Sequence, residues 1–121
     1  KDKANVVIKA FEEMLFSPNV RKVQLTAENC TSRYDMYEDS NNFYIRVSFA
    51  RRMVNDYCKV QGEVIEITTD DELIDIFERL GILEIKEKGS ERERSRKLPT
   101  QKGNTLRYLY IKKGALLQYL E

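Results

Sequence analysis

The sequence predicts an α+β domain, because apolar residues recur at helical spacing in several stretches and short β-branched or aromatic runs separate them. A chain of 121 residues with 41% hydrophobic content fits one core that folds without disulfides or structural metal. The whole of 1–121 is therefore expected to be a single domain, with residues 1–41 forming an N-terminal helix and irregular segment, and 42–121 a second unit.

Ala4 to Phe16 places Val7, Ala10, Phe11, Met14 and Leu15 on one helical face, and Ser17-Pro18-Asn19 stops it. From Val20 to Glu38 the pattern is weak; Val23 and Leu25 alternate like a short strand, and the rest reads as irregular. After the cap formers Asp39 to Asn42, Ile45, Phe49, Met53 and Tyr57 recur every four residues, flanked by Ala50, Val54 and Cys58. That period predicts a helix from Phe43 to Cys58. The competing reading makes Phe43, Ile45, Val47 and Phe49 a strand paired back onto Tyr34 to Tyr37, and the continued period favours helix.

Val64, Ile65 and Ile67 read as a short strand. Thr69 to Glu72 is a T-x-x-E capping box opening a helix with Leu73, Ile74, Phe77 and Leu80 inward, and Gly81 is placed to close it. Ile82 to Ile85 resumes as a strand. Leu106 to Ile111 is another, with Tyr108 and Tyr110 on one face and Leu109 and Ile111 on the other. Gly114 to Leu120 reads as a terminal helix carrying Leu116, Leu117 and Leu120.

Net charge is only +1, so function must follow from where charge sits. Between Lys86 and Asn104 seven basic residues (Lys86, Lys88, Arg92, Arg94, Arg96, Lys97, Lys102) face three acidic ones, which makes the loop +4 and leaves −3 for the rest. A basic loop between two strands suits a phosphate backbone, since Lys and Arg displace condensed counterions. Arg107 and Tyr108 at its base offer a clamp and a stacking ring, and Arg46, Arg51 and Arg52 on the second helix form a secondary basic surface. A solvated loop of local Glu and Arg pairs is the plainer alternative.

Catalysis is not expected. Without histidine, a P-loop or a dinucleotide fingerprint, the commonest catalytic frameworks are missing. Glu84-Ile85-Lys86 has a nuclease-like E-x-K form, but its possible partner Asp75 falls mid-helix. Asp70, Asp71 and Glu72 complement a helix dipole rather than forming a site. Cys30 and Cys58 lack zinc spacing, so no metal and no cofactor are expected. There is no signal peptide and no apolar run of membrane-spanning length, which points to a cytoplasmic protein with no membrane partner. Richness in Lys, Glu, Arg and Ile leans towards a thermophile. A start at Lys1 suggests a fragment of a larger protein.

From Phe43 onward the order helix, strand, helix, strand, charged loop, strand, helix resembles a winged-helix domain whose wing is the basic loop, although only the 69–81 segment is present where that fold has two helices. Phe11 in a helix, Tyr34 to Tyr37 followed by Glu38-Asp39-Ser40, Phe49 followed by Tyr57-Cys58, and Asp70-Asp71-Glu72-Leu73 to Leu80-Gly81-Ile82 resemble the winged-helix-like tail of poxvirus-like and plasmid (archaeal mobile-element) primase-helicases. The resemblance implies a part in DNA replication, as an accessory region binding DNA rather than RNA. A protein-interaction module, or the non-catalytic subunit of an archaeal primase docking a larger replication or transcription partner, is the alternative.

Overall fold

The computed structural model describes residues 2–99 and 106–119. Helix α1 (Lys3–Phe16) is capped by Asp2, whose carboxylate accepts from the Ala4 amide at 2.9 Å. Four strands form one sheet in the order β1-β2-β3-β6: β1 (Val23–Gln24), β2 (Met36–Glu38), β3 (Asn42–Arg46) and β6 (Tyr108–Lys112). β1 and β2 are parallel and the other pairs antiparallel. Helices α2 (Val47–Val60), α3 (Asp70–Arg79) and α4 (Lys113–Leu117) and a separate hairpin, β4 (Lys86–Lys88) with β5 (Glu91–Glu93), complete an α+β architecture. No helix among the described residues is long and apolar enough to cross a membrane.

The helix expected from Phe43 is corrected in its first turn. Asn42 to Arg46 is a strand, and it pairs back onto Met36 to Glu38 as the competing reading has it. Sitting between β2 and β6, this strand buries both faces, so it lacks the polar alternation that marks a half-exposed strand. The helix begins at Val47, and its buried stripe is Val47, Ala50, Val54 and Cys58. Phe49, Met53 and Tyr57 lie on the half-buried flank.

Val64 to Ile67 is not a strand. The Asn55 side chain takes the place of a ladder partner, accepting from the Ile67 amide at 2.8 Å and donating to its carbonyl at 2.9 Å. The capping box is met in one half: Thr69 Oγ1 accepts from the Glu72 amide at 3.1 Å, whereas the Glu72 carboxylate reaches one residue past the cap and accepts from the Thr68 amide at 3.1 Å. Gly81 follows with φ +74°, the left-handed geometry that ends a helix at low cost in glycine. The terminal helix is shorter than expected; Leu116 is buried, Leu117 exposed, and Leu120 lies outside the described residues.

The sheet separates two cores. Met36, Phe43, Ile45, Leu109 and Ile111 face α1, α2 and α3. On the opposite face Tyr37, Tyr44, Tyr108 and Tyr110 pack with Leu98, and Tyr44 and Tyr110 meet edge to face at 4.7 Å between ring centroids. The outer edge of β6 is covered in two pieces. The Glu84 amide donates to the Tyr110 carbonyl at 2.7 Å, and twelve residues later the Arg96 backbone exchanges two bonds with that of Tyr108, at 2.8 and 3.0 Å. The β4-β5 hairpin is thus an excursion out of a broken edge strand, turning at Gly89 with φ +64°.

Candidate nucleic-acid interface

The run from Lys86 to Asn104 divides into the hairpin with its exit at Arg94, a return over the sheet from Ser95 to Pro99, and residues 100–104, so Lys102 lies outside the described residues. Because the hairpin leaves the sheet beside α3, its arginines meet the polar side of that helix. Arg92 pairs with Glu78; Arg94 pairs with Asp75, with Glu78 at 3.3 Å and with Asp71 at 3.9 Å. The bond from Arg92, helped by Arg94, holds the Glu78 carboxyl below its ordinary range, and the bond to Asp75 raises Arg94 further. These two cations are neutralised within the molecule.

Arg96 is held differently. Its Nη2 donates to the Glu84 carboxylate at 2.8 Å, while its guanidinium lies 3.9 Å over the centroid of the Tyr110 ring. Burial pushes the Tyr110 phenol up despite the adjacent cation, so the ring stays neutral, and its hydroxyl donates to the Lys97 carbonyl. Glu84 is thereby committed to Arg96, and Asp75 to Arg94. The E-x-K reading loses both carboxylates to ion pairs. No group of three or more His, Cys, Asp and Glu among the described residues is placed to hold a metal ion.

Around Arg96 opens a cleft of about 450 Å³, lined by Lys86, Glu93, Arg96, Lys97, Arg107 and Tyr110. Lys86 and Lys97 are exposed and form no ion pair among the described residues. Arg107 is also exposed, with Nη1 donating to the Ser95 carbonyl at 2.8 Å. Four cations against one carboxylate line this concave surface, and three of them lack a carboxylate partner among the described residues. Lys88 is exposed on the hairpin, two residues beyond Lys86 on the same strand.

Other expected contacts are corrected. Tyr108 is fully buried, its hydroxyl donating to the Tyr34 carbonyl at 2.7 Å, so it is a sheet residue and not an accessible ring. Arg46 folds under the sheet to the Ser32 and Tyr34 carbonyls and to Asp35. Arg51 donates to Asp70 at 2.7 Å and braces the start of α3. Arg52 remains exposed, its guanidinium 5.4 Å over Phe49. Sequence reasoning missed Arg21 and Arg33, which flank the half-buried Tyr34 ring at 4.8 and 5.8 Å. They lie in a segment without periodicity, and only the aromatic between them hints at the cluster. Comparison with protein-family models, with curated proteins and with solved structures finds no match.

Proposed function

We propose that this chain is a non-catalytic DNA-binding accessory domain of a larger replication protein, of the primase-helicase kind it resembles, and that it grips the nucleic-acid backbone at the Lys86, Lys97 and Arg107 cleft. The observation that carries the proposal is the grouping of these exposed cations around one concave surface on a body that is otherwise mildly acidic. In this reading the β4-β5 hairpin stands where a winged-helix domain has its wing, and its turn carries Lys88 as a peripheral contact. Backbone gripping is favoured over base reading in a groove, because the exposed side of α3 carries Asp71 and Asp75.

Gel-shift titration of the triple variant Lys86→Ala, Lys97→Ala, Arg107→Ala at two salt concentrations tests it. Affinity is expected to fall at least tenfold, with a shallower dependence on salt by roughly 2 to 3 in slope, since each lost phosphate contact removes about 0.7 to 0.9. Unchanged affinity and slope reject the cleft.

A protein-docking reading has one observation in its favour. Between α1 and α2 runs a groove of about 250 Å³ lined by Ala10, Met14, Met53, Tyr57 and Val60, with Val60 strongly exposed. Pull-down of a replication partner that depends on Met53 and Val60, by a chain that binds no DNA or RNA at low salt, would favour it.

A further inference from the structure

We infer that the cleft takes an unpaired strand, with one base lying on the guanidinium of Arg96 and its flanking phosphates on Lys97 and Arg107; this deepens the nucleic-acid reading above and rests on it. Arg96 is held in a fixed orientation. Tyr110 supports one face of its guanidinium at 3.9 Å, and Glu84 fixes it in plane at 2.8 Å. The side chain lines the cleft and is 17% exposed, which leaves a flat, pre-oriented cationic surface turned partly to solvent. A planar surface of this kind binds the π face of a base, and only an unpaired base has that face available.

The cleft and its hairpin also carry acid. Glu93 belongs to the lining, and Glu87 and Glu91 are exposed on the hairpin that supplies Lys86. A duplex is stiff and carries about one charge per 1.7 Å of axis, twice the density of one strand, so it is repelled more strongly by these carboxylates and adapts less to a concave surface. A single strand bends into a concavity of about 450 Å³ and presents half the charge to the rim.

Among the described residues there is no reading helix beside the cleft. The solvent side of α3 is acidic, and its neighbouring cations, Arg92 and Arg94, already hold its carboxylates. No described helix offers an unpaired basic face beside the cleft for a major groove.

The test is fluorescence anisotropy on the full chain with an oligothymidylate of about 20 nucleotides, a duplex of the same length and an abasic strand of the same length. The oligothymidylate is expected to bind about tenfold more tightly than either of the others at the same salt. Arg96→Lys keeps a cation beside Glu84 and removes the plane; with its fold checked by circular dichroism, it is expected to bring oligothymidylate binding down to the abasic level. A 2-aminopurine placed mid-strand is expected to be quenched on binding by the wild type and not by this variant. Equal binding of duplex and single strand, both lost in the Lys86, Lys97, Arg107 triple variant, would overturn the single-strand inference and leave the backbone reading standing. Abasic binding equal to that of oligothymidylate would overturn the stacking. No binding of any probe at low salt would overturn both readings.

Discussion

Cations on the hairpin, on the return segment and at Arg107 fall into two groups with opposite fates. Arg92 and Arg94 end on the carboxylates of α3, whereas Lys86, Lys97 and Arg107 gather around a cleft and keep their charge for solvent. The difference comes from which neighbour the backbone presents. Strand β5 and its exit at Arg94 meet a helix whose polar side repeats acid at Asp71, Asp75 and Glu78; Lys86 on β4 borders the cleft together with the return segment, which runs over a sheet face made of tyrosines. Local charge density in a sequence therefore overstates the charge available to a ligand.

The largest expected effect separates support from contact at the base of the run. Tyr108→Ala removes a fully buried ring from the tyrosine face and is expected to cost about 3 to 5 kcal/mol, read as a lower urea midpoint, with any loss of binding following loss of fold. A stable variant with selectively lost binding would return Tyr108 to the contact surface. Next in size, Asp75→Asn with Glu78→Gln frees Arg92 and Arg94, which is expected to raise nucleic-acid affinity several-fold and steepen its salt dependence. If affinity stays constant, the hairpin lies outside the binding surface. The converse pair, Arg92→Ala with Arg94→Ala, is expected to change affinity less than twofold while lowering Tm by a few degrees.

The smallest effect is a pH dependence. Because the folded Glu78 carboxyl titrates below its ordinary value, its contribution is complete above the ordinary glutamate pKa and fades as pH falls through the lowered one; Arg94 stays cationic throughout. The amides of Arg92 and Arg94 are expected to lose order in NMR relaxation once the pH is taken below the lowered Glu78 value, with the sheet amides unaffected. Hairpin order that persists at low pH would show that backbone bonds alone hold it.

Much of the fold is legible where one local rule acts without competition. The cap and left-handed exit of α3, the apolar face of α1 and the alternation of β6 all follow from spacing and residue type. Asn42 to Arg46 defeats that approach, because a strand buried on both faces leaves no period and Ile45 happens to fall four residues before Phe49. At the candidate site the basic run is visible, but its partition is not. The pairs joining Arg92 and Arg94 to α3 span fourteen to twenty-three residues, and their existence depends on where the hairpin departs from the sheet. Val64 to Ile67 has strand composition, yet a side-chain amide satisfies Ile67 in place of a ladder.

The broken edge strand separates two jobs along one stretch of chain. Glu84 and Arg96 fasten the ends of the excursion to β6, so the hairpin between them contributes no bond to the sheet's register. The β4-β5 turn is consequently a cassette: its length and charge are free to diverge, or to be exchanged by design, while the tyrosine face and the Arg96 platform beneath it keep their geometry.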